Sequence, residues 1–443
     1  MRMLDKWHPD EGLLSQPAKR LMITIEPGID SSELKWELPA SKSHLIRWLL
    51  LASLSEAGHK TRLIGAAGAG NDATAMRRCL SQLGVTIGQD GNDWIVEAVG
   101  KDGFIRPASV LHCENSGTAF RLLTVACARM SEPVMLDGDH TLRKRGNPTF
   151  WQQLQGVGVE VSHGFDEETL PLLIRGPMRG GRISLVVSHT SQHLSALLLS
   201  MAAASESLEI KMKGELVSRR HAQLSFDIAS LCGSENKLET TDTSTAQKTS
   251  ITLTPFDCNT PNEVRIPRDA SHIAFARLAE MALAVKCEIP QLPDEEDSIG
   301  AELLAEVNSE HTSEVNLRDA NDLLPPLAAC MCLGGGGIIV GAAHAQFKES
   351  NRITRTGEVL ECFGLSVEIR EDGLSIEGNQ TLTRPQSPVL THGDHRLEMT
   401  AILLAAATGG TIIGGNHHQV SDPAFLSRLQ AAGLKFQISR QEI

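Results

Sequence analysis

The sequence predicts an α/β protein of two domains, assembled from about six copies of one unit in which an apolar helix, a glycine turn and an alternating strand follow one another. Three observations carry this expectation. At 443 residues the chain exceeds what one hydrophobic core usually organises. A short phrase ending on glycine recurs at a nearly fixed interval. A polar cluster followed by a long apolar run recurs with almost the same period.

The glycine phrase appears as LSQLGVTI around Gly84, LQGVGVEV around Gly158, IASLCGSE around Gly233, ECFGLSVEI around Gly364 and LQAAGLKFQI around Gly433. Successive glycines lie 74, 75, 131 and 69 residues apart, and the gap of 131 leaves room for a further copy near residues 303–317 that lacks the glycine. A helix commonly ends on a residue with positive φ, which suits glycine, and the alternation beyond it is that of a half-buried strand.

The second signal opens at Ser41 (SKSHLIRWLLLASL), Asn115 (NSGTAFRLLTVACA), Thr190 (TSQHLSALLLSMAAA), Asp269 (DASHIAFARLAEMALA), Asn321 (NDLLPPLAACMCL) and Gly393 (GDHRLEMTAILLAAA). Runs such as LIRWLLLASL are apolar nearly all round, so these helices are expected to be buried between sheets. Taken singly, a Ser, Asn, Thr or Asp at a helix start reads as an N-cap. Six such starts read differently. Parallel helices in one domain aim their free N–H groups and positive dipole ends at a common surface, which then attracts phosphate and carboxylate groups.

Composition narrows the alternatives. A net charge of -13 argues against general nucleic-acid binding, which needs a basic surface. No apolar run reaches the roughly 18 to 20 residues of a membrane span, and the N-terminal segment lacks a signal-peptide core, so a cytoplasmic protein is expected. Nine cysteines without a C-x-x-C pair predict reduced, mostly buried thiols rather than a zinc site or disulfide framework.

SKSHLIR, NSGTAFR, SQHLSALL, KGELVS, FKESNRI and GDHRLEM occur in the order and at close to the spacing found in the 5-enolpyruvylshikimate-3-phosphate synthase family, which the chain resembles from about Pro39 to Leu429. The resemblance implies a two-domain inside-out α/β barrel of six βαβαββ-type repeats, three per domain, with buried parallel helices. It divides the chain into residues 22–39 plus 268–443 as one domain and 40–267 as the other, with 1–21 as a loosely ordered extension. It implies transfer of the enolpyruvyl group of phosphoenolpyruvate to the 5-hydroxyl of shikimate 3-phosphate, by a monomer, with no metal and no organic cofactor.

The resemblance also distributes roles. Lys42, Asp322 and Glu349 are the implied catalytic groups: Asp322 as base for the attacking hydroxyl, Glu349 with Lys42 as proton shuttle at the methylene carbon. Lys42, Ser43, Arg47, Thr190, Ser191, Gln192, Ser218, Asp322, His344 and Lys348 are implied for shikimate 3-phosphate. Lys42, Asn115, Gly117, Arg145, Gln192, Arg352 and Arg396 are implied for phosphoenolpyruvate, with Asp394 and His395 in support. Ser43 and Arg47, like Lys348 and Arg352, are four apart and are expected on one helix face. Arg121, one turn beyond Gly117, fits either a ligand or a structural role.

Several positions depart from the family pattern. Val420 stands where a lysine is usual; either His417 or His418 offsets that loss in part, or the site has changed use. His221 replaces a usual tyrosine in a chain with no tyrosine, His344 a usual asparagine, and Leu122 a usual proline. Weak inhibition by glyphosate is therefore expected. Two other readings stay open: an enolpyruvyl transferase with another hydroxyl acceptor, and a ligand-binding homologue without catalysis.

Overall fold

The computed structural model describes residues 20–164, 169–238, 250–294, 301–304, 313–414 and 416–441. The expected N-terminal extension lies outside the described residues, apart from Arg20 and Leu21, which open a strand; so does most of the glycine-less copy, of which only the helix Ala301–Leu304 and the strand Ser313–Asn316 are described.

Each polar cluster opens a helix: α1 (Lys42–Leu54), α2 (Gly117–Cys127), α3 (Gln192–Ser200), α4 (Ile273–Leu283), α5 (Leu324–Leu333) and α6 (His395–Thr408). Their starts are fixed by caps where the sequence supplies them. Ser116 Oγ accepts from the Ala119 N–H at 3.3 Å, and Asp394 Oδ1 accepts from the Arg396 N–H at 2.9 Å. In α1 every residue from His44 to Leu54 is buried, as the uniformly apolar run requires. Each such leucine contributes about 1.5–3 kcal/mol by leaving water, so a charge at Leu49 would break this helix's packing.

Two large, separate hydrophobic cores result among the described residues, beside a small cluster of Leu34, Val285 and Ala432. One joins residues between Ala40 and Ile266; the other joins Ile23–Leu38 with residues from Ala274 to Leu434. Helices α1, α2 and α3 pack on one another inside the first lobe, and α4, α5 and α6 do so inside the second. Around them lie sheets with one recurring pattern: the strands before and after an inner helix pair in parallel, and the following strands add antiparallel. Leu111–His112 pairs with Val134–Asp137 across α2, Gly181–Val186 with Leu208–Lys213 across α3, and Ser313–Asn316 with Gly336–Val340 across α5. The five repeat glycines all have positive φ, from +77° at Gly364 to +100° at Gly233 and Gly433, so each turn needs a residue without Cβ.

At α1 and α4 the pattern is exchanged between lobes. Glu33–Lys35 precedes α1 but pairs with Lys286–Glu288, the strand after α4; Glu263–Arg265 precedes α4 but pairs with Lys60–Ile64, the strand after α1. The two crossings run side by side and are bridged at Ala40 and Arg268. This exchange ties the lobes together at the entrance of α1, directly before Lys42.

All nine cysteines are free; seven are buried and Cys287 and Cys362 half-buried. Among the described residues no helix is long and apolar enough to cross a membrane.

Candidate active site

The helix starts of both lobes meet at one cavity of about 550 Å³. Lys42 and Ser43 from α1, Gly117 and Thr118 from α2, Gln192 from α3 and Asn321 and Asp322 ahead of α5 all line it. Asp269–Ser271, ahead of α4, line a small adjoining pocket with Ser43 and Asp322. The helices of each lobe therefore point their dipoles at the interface, as the six polar starts imply.

On the first lobe the wall is cationic with little carboxylate company. Arg47 is 2% exposed; its Nε donates to Ser225 Oγ at 2.7 Å, its Nη1 to the Ser43 carbonyl at 2.6 Å and its Nη2 to the His221 carbonyl at 3.0 Å. Burial, with no counter-ion beside it among the described residues, pushes its pKa down to about 10. Arg121 donates to Gln192 Oε1 at 2.7 Å and to the Arg145 carbonyl at 3.0 Å, and burial, with the neighbouring Arg145 charge, pushes it down to about 9. A Cβ on Gly117 would lie 2.5 Å from Arg121 Nη1 and 3.4 Å from Arg145 Nη1, so this glycine makes room for two guanidinium groups. Arg145 Nη2 donates to the Asn115 carbonyl at 2.7 Å, while its Nη1 lies 3.5 Å from Glu349 Oε1 across the interface. Thr190 Oγ1 caps Gln192 N–H at 3.2 Å, and Ser191 Oγ donates to the Ser218 carbonyl at 3.2 Å.

On the second lobe cations and carboxylates are knotted together. Arg352, 1% exposed, donates from Nη1 to Asp322 at 2.6 Å, from Nη2 to Glu349 at 2.6 Å and from Nε to Asp394 at 2.8 Å. Arg396 Nη2 lies 3.6 Å from Asp322 Oδ2 and donates to Ser271 Oγ at 2.9 Å, but its Nε and Nη1 are buried with no hydrogen-bond partner among the described residues. Such an orphaned guanidinium is costly unless an anion completes it. Burial works against ionised Asp322, yet the Arg396, Arg352, Lys348 and Lys42 charges outweigh it and hold the carboxyl well below its usual range. Glu349 is held down in the same way, against its burial, chiefly by Arg352 and Arg145. Burial pulls Lys42 down, but Asp72, Asp322 and Glu349 hold its ammonium above the ordinary lysine value. Lys348 goes the other way: burial and the Arg352 charge lower it against the pull of Asp322.

The structure thus brings Lys42, Ser43, Arg47, Gly117, Arg145, Thr190, Ser191, Gln192, Ser218, Asp322, Lys348 and Glu349 to one cavity, with Arg121 among them. Asn115, His344, Arg352 and Arg396 do not reach its wall in this arrangement and stand one layer behind it. Asn115 positions Thr141 and Arg145, with its amide donating to Thr141 Oγ1 at 2.6 Å and its carbonyl accepting from Arg145. Asn321 Nδ2 faces His344 Nε2 at 2.6 Å, and burial pushes His344 down to about 4. His221 does line the cavity, and burial, then the Arg47 charge, also pushes it to about 4.

The expected compensation for Val420 is not what the rings do. His417 Nδ1 and His418 Nδ1 lie 3.1 and 2.9 Å from the two oxygens of Glu398, which is fully buried on α6, and neither ring lines the cavity. Val420 itself is buried, and its carbonyl would sit 2.3 Å from a Cβ on Gly70 of the first lobe, so this segment is packed backbone to backbone across the interface.

Sequence reading missed Asp72, whose Oδ2 accepts from Lys42 Nζ at 3.0 Å, and also His140, Lys144, His189 and Phe347 on the wall. Asp72 sits in the first turn of the helix Asn71–Gln82, in the unremarkable stretch NDATAM; only the fold brings it beneath Lys42. One metal-type cluster occurs among the described residues, Glu349, Asp394 and His395, but both carboxylates are already bonded to Arg352, the arrangement of an ion-pair knot.

Two lobes closing a cation-rich cavity on a pair of carboxylates define an enzyme class that handles polyanionic substrates. Comparison with known proteins specifies it: the family model of EPSP synthase (3-phosphoshikimate 1-carboxyvinyltransferase) matches residues 31–289 and 272–429, and the chain belongs to that family. The 3-phosphoshikimate 1-carboxyvinyltransferase of Methanosphaera stadtmanae is 27% identical over 414 residues, covering 88% of this chain and 94% of that one. That of Halobacterium salinarum is 29% identical over 424 residues, covering 89% and 95%. The fold is that of EPSP synthase from Acinetobacter baumannii (TM-score 0.72, 23% identity, 95% of this chain and 100% of that one) and of the enolpyruvyl transferase NikO from Streptomyces tendae (TM-score 0.68, 14% identity, 96% and 100%).

Proposed function

We propose that this enzyme transfers the enolpyruvyl group of phosphoenolpyruvate to the 5-hydroxyl of shikimate 3-phosphate, releasing phosphate. The observation that carries the reading is the meeting of Lys42, Asp322 and Glu349 from two lobes at one cavity whose remaining charge is supplied by Arg47, Arg121, Arg145 and Lys348. Family membership supports the same reaction.

In this reading Arg47, Thr190, Ser191 and Ser218 hold the acceptor's phosphate and ring, and Arg145 and Gly117 hold phosphoenolpyruvate, with the charge of Arg396 backing them from one layer behind the wall. Glu349, with Lys42, delivers a proton to the methylene carbon while Asp322 takes the proton of the attacking hydroxyl. The C–O bond forms at the cation-like carbon; Glu349 then retrieves a methyl proton as the C–O bond to phosphate breaks. Arg396, Arg352, Lys348 and Lys42 hold Asp322 well below its usual range, and Arg352 and Arg145 hold Glu349 there in the same way. Two bound polyanions neutralise those cations, so both carboxyls rise toward the working pH on binding. Substrate is then part of what tunes the acid and base.

The same reading takes the chain as a cytoplasmic monomer that needs neither metal nor organic cofactor, with the domain boundaries at residues 40 and 267. The test is phosphate release by purified protein given both substrates, in the presence of a chelator. Release with shikimate 3-phosphate supports the proposal. Turnover only with another alcohol moves the acceptor elsewhere, and binding without release rejects catalysis.

A further inference from the structure

We propose that His189 and Phe347 form an aromatic clasp that holds the two lobes shut over the acceptor. The rings come from opposite lobes, with centroids 4.4 Å apart and planes inclined by 33°. Of the aromatic pairs among the described residues, this one joins the lobes; the others lie within one lobe. Both residues line the cavity. Phe347 is nevertheless 53% exposed, so it serves neither core, and parting the lobes would leave its ring wholly in water.

Sequence position gives the contact its consequence. His189 directly precedes Thr190 and Ser191; Phe347 directly precedes Lys348 and Glu349. A ring stack is directional and is made only near one relative placement of its partners. Closing it therefore fixes the hydroxyls of the first lobe and the reactive pair of the second at the same moment. Several other contacts between lobes near the cavity are polar, among them Arg219 with Asp319 at 2.7 Å, Arg318 with Glu215, Arg145 with Glu349 at 3.5 Å and Ser218 N–H to the Arg318 carbonyl at 3.0 Å. Salt weakens the ionic ones but leaves a ring contact largely intact. His189 and Phe347 are positioning residues. The acceptor part of the proposal rests on the function proposed above; the clasp itself rests on the ring geometry.

Three variants, F347A, H189A and the double variant, with F347W as the conservative exchange, test it. A stack of this kind corresponds to a roughly 2- to 12-fold change. We expect F347A to raise the KM for shikimate 3-phosphate and speed its dissociation by about that factor, with a smaller change in kcat. H189A should match it, the double variant should be no worse than either single, and F347W should restore the parent values. Unchanged KM and dissociation in F347A, or single effects that simply add in the double variant, overturn the clasp. If the parent enzyme does not turn over shikimate 3-phosphate, the function falls and the clasp is decided separately, by spin labels on the outer faces of the two lobes of the ligand-free protein. A fall in the closed fraction in F347A keeps it; an unchanged fraction removes it.

Discussion

The arginines of the two lobes are buried to the same degree in opposite company. Arg47 of the first lobe, 2% exposed, is bonded to a serine and two backbone carbonyls; Arg352 of the second, 1% exposed, is bonded to three carboxylates. A buried cation without an anion stores an unfavourable energy that an incoming phosphate relieves, whereas a cation inside a carboxylate cage has already spent its charge on position. The contrast teaches a division of labour: the first lobe keeps cations free for an incoming anion, and the second uses its cation to hold three carboxylates in place, two of them the acid and base of the proposed reaction.

The sharpest way to break this comparison is to remove chemistry from the second lobe with the least change of shape. E349Q keeps the shape of the side chain and one acceptor oxygen for Arg352 or Arg145 but cannot give or take a proton as a carboxyl does; turnover should fall by about 10²- to 10⁴-fold, read from steady-state phosphate release. A loss below threefold would move the shuttle elsewhere.

Next in size is stability. R352M leaves Asp322, Glu349 and Asp394 facing one another without their shared cation and should cost about 3–5 kcal/mol in denaturant unfolding. R121M should leave stability unchanged or raised, since it removes a desolvated charge, while weakening substrate binding tenfold or more, the worth of a charged hydrogen bond of about 1.5–3 kcal/mol. Equal destabilisation by both variants would erase the distinction between the lobes.

The pH dependence sharpens it further. His221 and His344, one on each lobe, have folded-state values near 4 against an unfolded value of about 6.5. The unfolded chain binds these protons first on acidification, so the stability they contribute is complete above about pH 6.5 and is lost as pH falls toward 4. For His344 the loss is up to about 3 kcal/mol, and H344N should flatten the curve over that window in pH-dependent unfolding. The smallest expected effect concerns Val420. Glyphosate should inhibit weakly, and V420K should tighten phosphoenolpyruvate and inhibitor together by about tenfold, the value of one charged contact; strong inhibition of the parent would show that the missing lysine costs nothing.

Much of the fold was legible because it is periodic. Glycines at 84, 158, 233, 364 and 433 mark turns with positive φ, and polar starts such as Ser41 and Asn115 mark helices that run on into mostly apolar residues. Most residues carried over from the motifs reach one cavity for the same reason, since parallel helices deliver equivalent positions to one surface. What stayed hidden depends on contact between distant segments. No local pattern says that Asp72 lies under Lys42, that His189 meets Phe347, or that Arg352 spends all its nitrogens on carboxylates while Arg396 keeps two spare. Nor does spacing reveal that His417 and His418 turn toward buried Glu398, because that carboxylate is nineteen and twenty residues away and is reached only when Gly414 brings the backbone against it.

The exchanged strands have a consequence for how the chain is made. Arg20–Ile25 completes its sheet only with Gly410–Gly414 and Phe436–Gln441, and Lys60–Ile64 waits for Glu263–Arg265. At a synthesis rate of about 5–20 residues per second, the first strand stands without neighbours for roughly 20 to 80 s. The first lobe therefore waits for Glu263–Arg265, and the nascent chain carries an unpaired apolar strand, Ile23 and Ile25 among it, until Gly410–Gly414 emerges.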